Sequence, residues 1–163
     1  CHPDFPEKKC HCQGCQFAPE LVAACDVRVS DLEQRFQTVQ AVLGRGHISV
    51  DADRCSIIIK TNIPFAERAP PDTSAAFNPH QMKLADAITG DLAVALMGFE
   101  SPMVVEGHTG KTEPKKYWAE LALNRARYLV KHLESLGVQK GTLVPKGVPG
   151  GGAKVLVYPQ GSH

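Results

Sequence analysis

The sequence lacks any apolar run long enough to cross a membrane. Its longest candidate, Leu92–Phe99, is eight residues long and lies between Asp91 and Glu100. A membrane-spanning helix needs about 20 consecutive apolar residues. No secretory signal is visible at the start of the sequence either. We therefore expect the chain to have no transmembrane segment of its own.

The sequence also lacks an excess of charge of either sign. It has 18 basic and 17 acidic residues in 163, which gives a formal net charge of +1. This balance provides no electrostatic case for a nucleic acid or a membrane surface as the partner. The 43% hydrophobic and 21% charged residues are ordinary for a globular protein. The length fits one compact domain with an appendage.

Motifs that would indicate catalysis are missing as well. We find no nucleophile elbow, phosphate-binding loop or paired-carboxylate motif in the sequence. The glycine run at 150–152 is not followed by Lys-Ser/Thr or by a predicted helix, so it reads as a tight connection between strands. We therefore predict a non-catalytic protein without a cofactor.

Cysteine is unevenly distributed. Cys55 stands alone before an apolar run. The other five of the six cysteines lie in the first 25 residues: Cys1, Cys10, Cys12, Cys15 and Cys25. An even count suits disulfides in an oxidising compartment, and we expect at least one of them to form. Reduced thiols are one alternative. Zinc held by Cys10, Cys12 and Cys15 is another, although only one Cys-x-x-Cys knuckle is complete.

The rest of the pattern divides the chain into four segments. Residues 1–28 are an irregular Cys-rich extension, and residues 29–45 are an amphipathic helix that opens with a Ser30–Glu33 capping box. Residues 46–158 form the main domain, and residues 159–163 form a C-terminal tail. Packing of the helix against the domain is favoured over a coiled coil, because the apolar stripe spans under two heptads.

The main domain alternates strand and helix signals in the order βαβαββ, after an N-terminal hairpin strand. Asn78-Pro79 is a good opening for the first helix, and Gly137 a good cap for a second helix over 116–136. We expect that second helix to bury Trp118 and Leu136 among others. The last two strands are predicted at 142–144 and 153–158, joined through Gly147 and the later glycines. The predicted fold is an α+β sandwich with helices on one face of a mixed sheet.

Two motifs carry a family resemblance. Val104–Thr109 and, after a spacer, Leu121–Arg127 resemble the OmpA-like family, whose domains bind peptidoglycan in bacterial envelopes. The strand before the Asn78-Pro79 helix opening agrees with that family. The hairpin before it resembles the form found in flagellar-motor stator proteins. The resemblance covers residues 46–158 and implies the OmpA-like sandwich with a ligand groove.

The resemblance implies that an Asp and an Arg in this groove grip the ammonium and the carboxylate of the peptide's diamino acid. In this chain Gly110 replaces the Asp, Trp118 replaces an Asn, and Ala122 replaces a Ser, whereas Arg125 is retained. The groove is thus predicted to be vestigial, with these members: His108, Thr109, Gly110, Trp118, Arg125 and Lys154. Less specific interpretations are an ion pair of Arg125 with Glu106 or Glu120, and His108 as a hydrogen-bonded turn residue.

The leading functional hypothesis is a structural or protein-interaction module. It would be a peripheral subunit of a membrane-associated assembly in the cell envelope or periplasm, or in an organelle, with other protein subunits as its partners. The first alternative is an envelope anchor that binds cell-wall peptide weakly through Arg125, with Cys1 as a lipidated residue. The second alternative is a small zinc-binding adaptor that relies on the N-terminal cysteines.

Overall fold

The computed structural model describes residues 41–51, 56–97, 102–152 and 154–160. The predicted extension at 1–28, most of the predicted helix at 29–45 and all six cysteines lie outside the described residues. The disulfide and zinc hypotheses therefore stay predictions. Residues 41–43 are helical, and Val42 is buried in the hydrophobic core of the domain.

Five strands form one mixed sheet, as the sequence predicted. They are β1 (Ile48–Asp51), β2 (Ser56–Ile59), β3 (Met103–Thr109), β4 (Leu143–Gly151) and β5 (Val155–Pro159), in the spatial order β1-β2-β5-β3-β4. The β3–β4 pair is parallel and the other neighbours are antiparallel.

Two helices follow the predicted positions closely. A 3₁₀ turn at Pro79–Gln81 leads into α1 (Met82–Leu96), and the Asn78 side chain accepts a hydrogen bond from the His80 amide at this start. The second helix, α2, runs from Lys115 to Ser135. Among the described residues, neither helix has an apolar stretch long enough to cross a bilayer.

The predicted cap after α2 is confirmed in detail. Gly137 has a φ of +111°, and its amide donates to the Glu134 carbonyl oxygen at 3.1 Å. The Val138 amide donates to the Leu133 carbonyl oxygen at 3.2 Å, and both side chains lie in the core. This pair of bonds is the Schellman arrangement, in which glycine takes the left-handed position without a Cβ penalty.

Strand alternation separates an inner sheet face from an outer face. In β5 the side chains of Val155 and Val157 are buried, whereas Leu156 between them is exposed. The inner face packs against the helices and contributes to one core cluster that also contains Ile88, Leu92, Leu129 and Leu133. No described helix covers the outer face, because α2 packs on the inner side of β3 and β4.

Glycines allow α2 to approach the sheet very closely. A Cβ on Gly107 would lie 2.7 Å from the Ala122 carbonyl oxygen, and one on Gly147 would lie 2.3 Å from the Leu123 amide nitrogen. Contacts this short with the helix backbone exclude any side chain at either position. Gly147 is therefore a strand residue that makes room for the helix.

Several predicted details are wrong. β4 continues through Gly147 to Gly151, so that the link to β5 is only residues 152–154 instead of the longer glycine connection. Leu136 is exposed, because it follows the end of α2 and Val138 takes its place in the core. Tyr117 is buried where Trp118 was expected, and Trp118 is half-buried.

Candidate functional site

Arg125 lies on α2 and lines a cleft of about 290 Å³. The opposite wall is the segment that follows β2, including Ile63, Pro64 and Phe65, and Gln81 and Leu84 at the start of the first helix complete the lining. Only 7% of the arginine remains exposed. Burial disfavours the charged form and lowers the pKa of Arg125 below its ordinary value of 12.5.

The guanidinium of Arg125 has few partners for a buried cation. Its Nη2 donates to the Ala66 carbonyl oxygen at 3.3 Å, and the group lies 5.5 Å from the centre of the Phe65 ring. Its Nε has no hydrogen-bond partner. The suggested ion pair with Glu106 or Glu120 is wrong for Glu106, which is bonded to His108 and Tyr158 instead, and Glu120 is exposed.

Two further side chains of α2 hold the loop beside this cleft. The Tyr117 hydroxyl donates to the Asp72 carbonyl oxygen at 2.6 Å, and the Asn124 side-chain amide donates to the Thr73 carbonyl oxygen at 2.7 Å. Together with the Arg125 bond, these contacts fix the loop against the helix. The sequence alone gives no sign of either contact, because only the fold brings positions 72–73 next to α2.

The other end of the predicted groove contains no acid at position 110. Gly110 is exposed, and a Cβ built on it would meet nothing within 4 Å. The next residue, Lys111, places its ammonium 5.9 Å from the centre of the Trp118 ring, whose Nε1 donates to the Glu113 carbonyl oxygen at 2.9 Å. A lysine therefore directly follows the position at which the resemblance implies an anionic group for a ligand ammonium.

Thr109 is buried at the end of β3, where it connects the following loop to the end of β4. Its hydroxyl donates to the Lys111 carbonyl oxygen at 2.8 Å and accepts a hydrogen bond from the Gly150 amide at 3.3 Å. Both of its hydrogen-bonding functions are therefore used within the chain. The role of Thr109 in this structure is to fix the turn that carries Gly110.

His108 is a strand residue, which corrects the prediction that it lies in a turn. Its Nε2 lies 2.6 Å from a Glu106 carboxylate oxygen, and its Nδ1 lies 3.0 Å from the Gly150 carbonyl oxygen. Both neighbours are acceptors, so the ring can donate from both nitrogens only as an imidazolium. His108 and Glu106 are each less than 10% exposed, and their side chains are in direct contact on the outer sheet face.

Tyr158 and Lys146 complete this cluster around Glu106. The Tyr158 hydroxyl donates to Glu106 at 2.5 Å, and the Lys146 ammonium lies 3.7 Å from the same carboxylate. Burial favours protonated Glu106, but the hydrogen bonds from Tyr158 and His108 outweigh burial and lower the pKa of this carboxyl. Burial and the bond to Glu106 together raise the pKa of Tyr158 to about 12.

Lys154 lies on the outer face beside His108. A Cβ on Gly151 would be 2.9 Å from His108 Nδ1 and 3.5 Å from Lys154 Cε, and the His108 amide donates to the Lys154 carbonyl oxygen. Arg125, in contrast, belongs to the helix that covers the inner face. The structure therefore separates the predicted groove residues: Arg125 lies on one side of the sheet, and His108 and Lys154 lie on the other.

Metal binding is not supported by the described part of the chain. No group of three or more His, Cys, Asp or Glu side chains within residues 41–51, 56–97, 102–152 and 154–160 has an arrangement that can hold a metal ion. The cysteines for which zinc was considered lie outside these ranges.

The fold and the site can now be compared with known proteins. The sequence matches no protein-family model and no curated protein. Its fold, however, is shared with solved structures, and this agrees with the OmpA-like α+β fold expected from the sequence resemblance.

Two solved structures carry this comparison. The cell wall anchor of the T6SS from Pseudomonas aeruginosa aligns with a TM-score of 0.52 and 14% identity, over 76% of this chain and 96% of that one. A putative MotB-like protein from Desulfovibrio vulgaris aligns with a TM-score of 0.50 and 15% identity, over 80% of this chain and 94% of that one. At such low identity the likeness shows a shared fold.

Proposed function

We propose that this chain is a non-catalytic interaction module with an OmpA-like fold that no longer holds a diamino acid by both ends. The observation that carries this proposal is the asymmetry of the groove. Arg125 remains available for a carboxylate, but the position expected to hold the ammonium is Gly110, with Lys111 beside it. The module would serve as a peripheral subunit of a membrane-associated assembly in the cell envelope or an organelle.

The free energy lost with the missing acid is large enough to abolish tight binding. Removing one member of a desolvated, hydrogen-bonded charge pair typically costs about 2–5 kcal/mol. The Lys111 ammonium near Trp118 would add repulsion to an incoming ammonium. A ligand that depended on both charges would therefore lose most of its affinity.

Restoring the acid tests this proposal. Gly110 has open space around it, and its φ lies outside the left-handed region, so a Gly110→Asp variant should fold without a clash. Calorimetry with a diaminopimelate-containing cell-wall peptide should detect negligible binding to the natural chain and measurable binding to Gly110→Asp. Gly110→Asn is the matched control, because it adds the same volume without the charge.

The opposite result would identify an anchor that has kept its ligand. Micromolar binding by the natural chain, lost in Arg125→Ala, would contradict the proposal. No binding by Gly110→Asp would show that Trp118 or the short link between β4 and β5 also blocks the groove.

A second candidate function is weak binding of a carboxylate by Arg125 alone. It is favoured by the Nε of this buried guanidinium, which has no hydrogen-bond partner. A buried unpaired donor is costly, and a bound carboxylate would satisfy it. Titration with a cell-wall peptide followed by NMR should then shift the Arg125 Nε signal, and a blocked, uncharged peptide should leave it unchanged. An unchanged signal with both peptides would leave Arg125 with a purely structural role.

A further inference from the structure

The outer sheet face has a charge distribution that the sequence does not reveal. Ile58 pairs with Leu156 across β2 and β5, and Leu156 pairs in turn with Glu106 on β3. The two aliphatic side chains are 48% and 38% exposed, the largest values for hydrophobic residues of the described strands. They form an apolar pair at the middle of a face that no described helix covers.

Lysines surround this apolar pair. Lys146 pairs with Glu106 across the β3–β4 ladder. Lys60 follows β2 and Lys154 precedes β5, each two positions from Ile58 or Leu156, so the alternation continued past the strand ends places them on the same face. The Lys60 amide donates to the His47 carbonyl oxygen, which continues the β1–β2 ladder to this point. All three lysines are exposed.

Negative charge does not balance these lysines on the described part of the outer face. Its acids are Glu106, which is buried and bonded to His108 and Tyr158, and Asp51, which is half-buried on the edge strand β1. Lys146 contacts Glu106 at 3.7 Å but keeps 58% of its side chain exposed. The surface that a partner would meet is therefore cationic, with an aliphatic centre.

We propose that this lysine face, defined by Ile58, Lys60, Lys146, Lys154 and Leu156, lies against an anionic lipid surface. A second copy of the same face does not fit, because the described parts of the two faces would bring lysines together without acids to meet them. A protein partner fits poorly, because protein interfaces are depleted in lysine and enriched in aromatic residues and arginine. Lysines flanking two aliphatic side chains suit a bilayer, where the ammonium groups reach the headgroups and the aliphatic groups enter the interface.

This inference goes beyond the proposed function and does not depend on it. The lysine face lies on the opposite side of the sheet from the Arg125 cleft, so either surface can fail its test while the other passes. It also revises the expectation drawn from the net charge of +1, since the fold gathers lysines on one face while the sum over the chain stays near zero.

The test is co-sedimentation of the full chain with vesicles. Vesicles of phosphatidylcholine mixed with anionic phosphatidylglycerol should bind the chain, and vesicles of pure phosphatidylcholine should not. Each lysine near an anionic leaflet contributes about fivefold, so Lys60→Gln, Lys146→Gln and Lys154→Gln together should weaken binding about 100-fold. Raising the salt concentration should also weaken vesicle binding by the natural chain.

Two further variants complete the test. One distinguishes the three lysines of this face from charge elsewhere on the protein, and the other measures the contribution of the apolar pair. Lys83→Gln, Lys116→Gln and Lys131→Gln together remove the same charge from exposed positions on the helices and should leave binding unchanged. Ile58→Ser with Leu156→Ser should weaken binding about tenfold. Circular dichroism confirms that every variant is folded.

Three results would overturn the proposal. The first is equal binding to the neutral and anionic vesicles, and the second is an equal loss in the two lysine triple variants. Binding to an acidic amphipathic peptide without any binding to vesicles would also overturn it and assign the face to a protein partner.

Discussion

The two faces of the sheet differ in what covers them. On the inner face, glycines at 107 and 147 let α2 pack directly on β3 and β4, and the contact is almost entirely apolar. On the outer face the same two strands carry Glu106, His108 and Lys146, which join Tyr158 in a polar cluster. The inner face is therefore sensitive to volume, and the outer face is sensitive to charge and pH.

The largest effect is expected from adding volume to the inner face. In Gly147→Ala the new methyl group would meet the Leu123 backbone at 2.3 Å, so α2 would have to move away from the sheet. We expect a loss of about 3 kcal/mol in the free energy of unfolding. Thermal denaturation should show a midpoint lower by about 6–12 °C. Val148→Ala, on the outer face of the same strand, is the control, and an equal loss in both variants would remove the contrast between the faces.

A smaller effect is expected from removing charge on the outer face. Glu106→Gln replaces the carboxylate that is hydrogen-bonded to His108 and Tyr158 with a neutral amide, which should cost about 2 kcal/mol at neutral pH. The pKa of Glu106 is lowered in the folded state, so its contribution is present above the ordinary value of 4.5 and is lost as the pH falls through the folded value.

Urea unfolding of both proteins across the acidic range checks this prediction. The difference between the natural chain and Glu106→Gln should shrink as the pH falls below about 4.5 and should be constant above it. A difference that stays constant into the acid range would show that the carboxylate charge contributes nothing to stability.

Tyr158 gives a third, spectroscopic test of the polar cluster. The pKa of Tyr158 is raised to about 12 in the folded protein. The folding stability that its neutral phenol contributes is therefore fully present below the ordinary pKa of 10.0 and is lost as the pH rises through about 12. Ultraviolet titration of the phenol groups should therefore show a late step that is absent from Tyr158→Phe. In Glu106→Gln the step should move to lower pH, because the hydrogen-bonded carboxylate that raises the pKa is gone. A late step that persists in Tyr158→Phe belongs to another tyrosine.

The smallest effect on stability is expected at two glycines that lie away from both faces of the sheet. Gly90 lies inside α1 with nothing within 4 Å of a new Cβ, so Gly90→Ala should stabilise the protein by about 0.5–1 kcal/mol through helix propensity. Gly137, with its φ of +111°, is the matched control, and Gly137→Ala should destabilise by about 1 kcal/mol. Chemical denaturation of the two variants should give changes of opposite sign.

Local signals in the sequence were sufficient for most of the fold. Asn78-Pro79 opens the first helix as predicted, and Gly137 ends the second by the expected cap. These features depend on a few neighbouring residues, so they can be recognised without tertiary information. Gly147 was misassigned to a connection because glycine is typical of turns, whereas here it lies in a strand below a helix. Gly150 and Gly151 end the same strand at an irregularity in its register, where both have positive φ.

The candidate site was predicted only in part, for a related reason. The sequence motif identified Arg125, but not that its Nε lacks a partner or that Tyr117 and Asn124 fix the neighbouring loop. It also grouped His108 and Lys154 with Arg125, although the sheet separates them. Motif spacing gives only the order of residues along the chain. The side of the sheet on which a residue lies depends on strand register and alternation.

The sequence by itself therefore determined the order of elements, the helix ends and the loss of the acid at position 110. Each follows from the identity of a residue and its near neighbours. The tertiary structure alone decided that Glu106 holds His108 and Tyr158, and that Lys60, Lys146 and Lys154 share one face. Those residues lie on β3, β4 and β5 or directly beside β2 and β5, and only pairing between distant segments brings their charges together.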